Sequence, residues 1–275
     1  MSAVGRILVS GGHEFNRRSG NDALCDLIVE LAESSRPRIC LLPTASGDPE
    51  DQISSFRRAF GERGCSPTAI SLFRLGSEPI DVRSHLMAQD VIYVGGGSLV
   101  NLLAIWRAHG LDRILEECWR EDILIVGQSA GGMCWFEQGV TRSAGPPAAA
   151  PGLGLLEGSA CVHYRAEPER RAFFTAAVAE GRMPPGLGLD DQTAALYQGR
   201  ELVETITARD GAAVFAVEPG AAGNGDHGAR ERELPSRRVR DRRPAIDIRS
   251  DEIIELRETL AARATARRAR LGRLD

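Results

Sequence analysis

Residues Gly127-Gln128-Ser129-Ala130-Gly131 read G-x-S-x-G and follow a short apolar run at 123–126. That spacing suits a serine nucleophile on a sharp strand-to-helix turn. Small flanking residues avoid collisions across the turn, which exposes Oγ at a helix start where negative charge is favoured. A second turn, Gly95-Gly96-Gly97, has no Cβ to keep a substrate away from its N–H groups. An N–H of Gly96 or Gly97, together with that of Ala130, would form an oxyanion hole. Losing one such donor costs about 3–4 kcal/mol of transition-state stabilisation. A dinucleotide or phosphate loop fits this turn less well, because G-x-G-x-x-G is broken by Val100.

A serine of this kind needs a base, usually histidine, itself oriented by a carboxylate. Only His163 and His227 follow Ser129 in the chain. His163 ends an apolar run at 159–162, whereas His227 sits among Gly, Asn and Asp residues with little to fix a ring. His163 is therefore predicted to be the base. His13, after Gly11-Gly12, is placed to line the same crevice, and His85 and His109 read as surface residues. The acid is expected from Asp190-Asp191, and either residue could serve.

The elements that must hold these residues are visible in the hydropathy. Apolar runs at 6–10, 38–42, 69–73, 90–94 and 123–126 are predicted as strands covered on both faces. Helical patterns alternate with them, at 99–106 and along Leu111, Ile114, Leu115, Cys118 and Trp119, a single apolar stripe. The alternation predicts an α/β protein with a doubly wound, mainly parallel sheet, whose working residues lie on loops at the carboxyl ends of strands. The segment 141–152 reads as loop. A strand at 159–162, a helix at 167–180 and strands at 194–197, 202–207 and 212–217 follow. The expected organisation is a catalytic domain over 1–218 and an Arg-rich extension over 219–275. In that extension 219–244 reads as mobile, and Ser250 caps a helix near 251–270.

Composition narrows the chemistry. The 275 residues are 43% apolar, with a net charge of −4. No apolar run approaches the roughly 18 residues of a membrane span. The first 12 residues lack a signal-peptide pattern. Six scattered cysteines without metal-ligand spacing suit a reducing compartment, so a cytoplasmic protein is expected, with no metal and no cofactor. All 34 basic residues are arginine, which excludes Schiff-base chemistry and a P-loop lysine. Residues 229–275 hold 14 Arg against 9 acids, leaving −9 on the rest. The acidic body argues against nucleic-acid binding, and the tail's interspersed charges read as a solvated helix end. A homodimer is compatible with this composition.

The glycine turn YVGGGS (93–98), the elbow GQSAGG (127–132), the histidine of CVHY (161–164) and the acid turn LDDQTA (189–194) together resemble the peptidase E family of serine peptidases. That family includes aspartyl dipeptidases and cyanophycinase. The resemblance spans about residues 5–217, and its Ser…His…Asp order differs from the Ser…Asp…His order of α/β-hydrolases. It implies a flavodoxin-like core related to class I glutamine amidotransferases, with serine replacing their cysteine, and metal-independent hydrolysis of small peptides through an acyl-enzyme. It implies Ser129 as nucleophile, His163 as base and Asp191 as acid, with Asp190 the alternative. It also implies an acidic residue at the cleaved bond, for which Arg165, Arg170 and Arg171 are candidate partners. Arg170 and Arg171 suit a solvated helix start with Glu167 and Glu169 better. One departure stands out: the family often has an acid shortly after the serine, where 141–144 here reads Thr-Arg-Ser-Ala. Two other readings remain, an α/β-hydrolase esterase using His227 and an inactive homologue acting as a binding module.

Overall fold

The structure, a computed structural model, describes residues 5–12, 23–220 and 228–240. The chain groups into one unit over 1–241 and another over 242–275. The helix expected near 251–270, and His13 and His227, lie outside the described residues.

Strands alternate with helices through the first half: β1 (Arg6–Ser10), α1 (Ala23–Leu31), β2 (Arg38–Leu42), α2 (Glu50–Gly61), β3 (Ser66–Ala69), α3 (Val82–Met87), β4 (Val91–Val94), α4 (Leu99–His109), α5 (Leu111–Arg120) and β5 (Leu124–Gln128). The second half adds α6 (Ala130–Met133), β6 (Phe136–Thr141), β7 (Ala148–Pro151), β8 (Leu156–Val162), α7 (Pro168–Ala179), β9 (Gly186–Leu189), β10 (Thr193–Gln198), β11 (Glu201–Thr207), β12 (Val214–Pro219), β13 (Ala229–Glu233) and β14 (Arg237–Arg238).

Among the described residues these strands form two sheets. One has the order β14-β11-β10-β1-β5-β4-β2-β3, the other β13-β12-β9-β8-β6-β7. Strands β1 to β5 are mutually parallel wherever they pair, which confirms the doubly wound core. Their continuous apolar runs are explained by burial on both faces. On one face lie α1 and α2, with Leu24, Ile28, Phe56 and Phe60 against Leu8, Tyr93 and Val126. The other face is shared. There α4 and α5 supply Trp106 and Leu115, while the second sheet supplies Phe136, Leu156, Val162 and Leu189. The second sheet's far face is closed by Phe174 and Val178 of α7.

Two predicted boundaries are corrected. The run at 69–73 pairs earlier than expected, as β3, and Leu72–Arg74 is a 3-10 turn. Ser66 N–H donates to Pro37 O and Ile70 N–H to Leu41 O, so the ladder to β2 is filled before Leu72, which turns into the core. The segment 141–152, read as loop, contains β7, paired antiparallel with β6 at the sheet edge. An Ala-Ala-Ala-Pro strand carries no hydropathy signal, and its terminal proline is tolerated because the strand lies on an edge. Residues 229–233 and 237–238, within the segment set apart as an extension, are built into the sheets beside β12 and β11.

No described helix is long and apolar enough to cross a membrane. All six cysteines are buried and free of disulfides. Burial pushes the Cys40 thiol up to about 12 and the Cys118 thiol up to about 11. The native protein is therefore expected to leave Ellman's reagent unconsumed over minutes at pH 8 and to titrate six thiols only after denaturation.

Candidate active site

β5 delivers Ser129 at the carboxyl edge of the first sheet. Its backbone, φ +52° and ψ −115°, is a conformation that costs a non-glycine residue roughly 1–3 kcal/mol. The surroundings enforce it. Ser129 N–H donates to Ser10 O of β1 at 3.0 Å, and Ser129 O accepts from Gly132 and Met133 N–H at 2.9 Å. A side chain at Gly127 would run into the Gly131 carbonyl and one at Gly131 into the Val94 carbonyl, which accounts for the paired glycines of the elbow.

The partner side chains come from the second sheet. Parallel pairing of β8 with β9, Val162 opposite Leu189, brings the two strand ends out side by side. His163 follows β8 with φ +54°, and its Nε2 lies 2.9 Å from Ser129 Oγ. Its Nδ1 lies 2.5 Å from Asp191 Oδ1. The histidine and aspartate side chains are only 17% and 16% exposed, so bulk water competes weakly for this hydrogen-bond chain. With Nδ1 bonded to the carboxylate, Nε2 is left to take a proton from Oγ.

The structure separates the two candidate acids. Asp190 does not bond His163. Its side chain, 2% exposed, accepts from the Arg165 guanidinium, from Arg165 N–H at 3.1 Å and from Ala213 N–H at 2.9 Å. Gly96 lies against Ser129, since a Cβ there would sit 3.1 Å from Ser129 Cβ and 3.7 Å from Oγ. Gly97 instead packs on Ala45, whose carbonyl also accepts Ser98 N–H at 2.7 Å. Ala130 opens α6, so its N–H has no acceptor within the helix.

Each of the three candidate substrate arginines lies beside a carboxylate of the chain, although Nε and Nη1 of Arg170 are buried without a hydrogen-bond partner. Arg165 bonds Asp190 and the Gly211 carbonyl, Arg170 lies 2.8 Å from Glu167, and Arg171 bonds Glu231 at 2.9 and 3.1 Å. Arg142, at the position where an acid was looked for, lies 3.6 and 3.7 Å from Glu167 and Glu169. Among the described residues, no group of three or more His, Cys, Asp or Glu could hold a metal ion.

Sequence reasoning missed Gly12 as part of the site. With φ +130°, it lies so close to His163 that a Cβ would be 2.7 Å from His163 Cε1 and 3.6 Å from Asp191 Oδ1. The available signal was the glycine pair at the end of β1. Gly12→Ala is expected to push the imidazole off Ser129 and slow fluorophosphonate labelling about 10- to 100-fold while the protein stays folded.

One relative by sequence and two solved structures similar to this chain are described as peptidases. A putative peptidase E protein of Listeria monocytogenes EGD-e has a TM-score of 0.54 at 17% identity, over 74% of this chain and 98% of that one. A peptidase from an acI-B1 actinobacterium reaches a TM-score of 0.64 at 18% identity, over 86% and 96% of the two chains. At such identities the likeness concerns the fold. The sequence is more specific: residues 7–205 match the model of peptidase family S51, and the chain belongs to that family. It is also 41% identical, over 212 residues, to the uncharacterized peptidase YgaJ of Bacillus subtilis (strain 168), covering 77% of this chain and 91% of that protein.

Proposed function

We propose that this peptidase hydrolyses small peptides by a serine mechanism, with Ser129 as nucleophile, His163 as base and Asp191 as the orienting acid. The observation that carries the reading is the continuous hydrogen-bond chain from Ser129 Oγ through His163 to Asp191. In it, His163 Nε2 accepts the Oγ proton as Oγ attacks the scissile carbonyl carbon. The N–H groups of Gly96 and Ala130 receive the resulting oxyanion, a role that favours Gly96 over Gly97 because Gly96 adjoins Ser129. Collapse breaks the C–N bond, and the imidazolium gives its proton to the leaving amine. Water, activated by the same imidazole, then hydrolyses the acyl ester and restores the serine.

The esterase order would need His227, but the place beside Ser129 is taken by His163. A preference for an acidic residue at the cleaved bond is carried by the family resemblance alone, since Arg165, Arg170 and Arg171 already face carboxylates.

The test is labelling with a fluorophosphonate, followed by a panel of Asp-X, Glu-X, Ala-X and Arg-X dipeptides. Wild type is expected to label and His163→Ala to label at least about 1,000-fold more slowly. Equal labelling of both would discard His163 as base. Hydrolysis of all four dipeptide classes at similar kcat/KM would discard the acidic preference and leave the mechanism standing.

A further inference from the structure

The family match ends at residue 205, yet the described chain continues through β12 and β13. β13 reads Ala-Arg-Glu-Arg-Glu, and strand alternation places Ala229, Glu231 and Glu233 on one face. Ala229 packs into the apolar cluster under α7. Glu231 Oε2 accepts from the Tyr164 hydroxyl at 2.6 Å and from Arg171 Nε at 2.9 Å, and Oε1 accepts from Arg171 Nη2 at 3.1 Å. The Arg171 guanidinium also lies over the Tyr164 ring, 5.5 Å from its centroid. Burial disfavours the Glu231 charge, but the bonds from Arg171 and Tyr164 outweigh it and hold the carboxyl below its usual value.

Tyr164 is the residue after His163. Its fully buried ring fills the space that a side chain at Gly188 would need, and its N–H donates to Leu189 O at 3.1 Å. A left-handed His163 persists only where its surroundings over-determine it. The turn is also held by Asp190 on Arg165 and by Glu167 N–H, which donates to His163 O at 2.8 Å, and Tyr164 adds a buried side-chain anchor between them.

We propose that Glu231 is a positioning residue for His163, holding the His163-Tyr164 turn through the Tyr164 hydroxyl and Arg171. The proposal rests on the serine mechanism proposed above. It places part of the apparatus beyond residue 205, where the match to the family model ends, on a strand whose alternating charges resemble an ordinary surface.

Full-length wild type, Glu231→Ala, Glu231→Gln and Tyr164→Phe are compared for fluorophosphonate labelling, with near-UV circular dichroism confirming the fold at the assay temperature. Expected for Glu231→Ala and Tyr164→Phe is a 10- to 100-fold fall, on the order of that caused by a 1 Å misplacement, in the maximal labelling rate. The half-saturating probe concentration stays near wild type. Glu231→Gln keeps a carbonyl acceptor for Tyr164 and recovers most of the rate. The low-field proton NMR signal of the His163–Asp191 hydrogen bond is expected to weaken in parallel. Wild-type labelling by folded Glu231→Ala overturns the proposal and leaves Glu231 with a role in stability only. Should Glu231→Ala fail to fold, Tyr164→Phe decides, and a wild-type rate there overturns it. Absence of labelling in wild type itself would instead discard the serine mechanism on which the proposal rests.

Discussion

Ser129→Ala is expected to abolish labelling and lower peptide hydrolysis by roughly 10⁵- to 10⁶-fold, with the melting temperature close to that of wild type. The size of the effect follows from the proposed mechanism, in which Oγ forms the covalent bond. The His163–Asp191 pair, left without it, has nothing to activate but water. Stability is expected to hold because alanine keeps Cβ and the same unfavourable backbone, φ +52°, and because the bonds securing the elbow are made by backbone atoms. Hydrolysis surviving in Ser129→Ala at more than about one hundredth of the wild-type rate would exclude Ser129 as nucleophile, since residual catalysis without the nucleophile is far smaller.

The second large effect separates two adjacent aspartates. Asp191→Asn is expected to lower kcat by about 10⁴-fold with little loss of stability, because the amide no longer holds the imidazole in the tautomer that can accept the Oγ proton. Asp190→Asn is expected to behave in the opposite way. It removes the charge facing Arg165 from a side chain only 2% exposed. Breaking a fully buried pair costs about 3–5 kcal/mol, and because Arg165 is partly exposed the loss here is expected to be roughly 2–3 kcal/mol. Urea unfolding measured beside peptide hydrolysis separates the two variants. A catalytic collapse in Asp190→Asn with unchanged unfolding would reverse the assignment.

The parts of this site legible in the sequence share a physical character: each is local. The elbow around Ser129 and the Gly95–Gly97 turn announce themselves because close backbone approach demands glycine within a few residues. The parallel core was readable because strands buried on both faces are apolar at nearly every position. His163 was readable because it ends one apolar strand. The choice between Asp190 and Asp191 was not, since neighbours in a turn point in different directions, and only the packing of β8 beside β9 decides which faces the imidazole. The partners of the arginines were hidden for a related reason. Sequence displays their positive charge, but the carboxylate answering Arg171 lies 60 residues away on a strand with no apolar pattern. Strands β7 and β9, Ala-Ala-Ala-Pro and Gly-Leu-Gly-Leu, exist through pairing rather than propensity, so the second sheet stayed largely hidden.

The division of labour between the sheets has a consequence for the newly made chain. Ser129 and the glycine turns belong to the portion synthesised first, while His163 and Asp191 arrive later, and β10, which flanks β1, later still. A chain made only as far as its parallel strands would carry Ser129 without the histidine that bonds its hydroxyl. On the serine mechanism proposed above, hydrolysis therefore requires synthesis to have run past Asp191, well beyond the segment that carries Ser129.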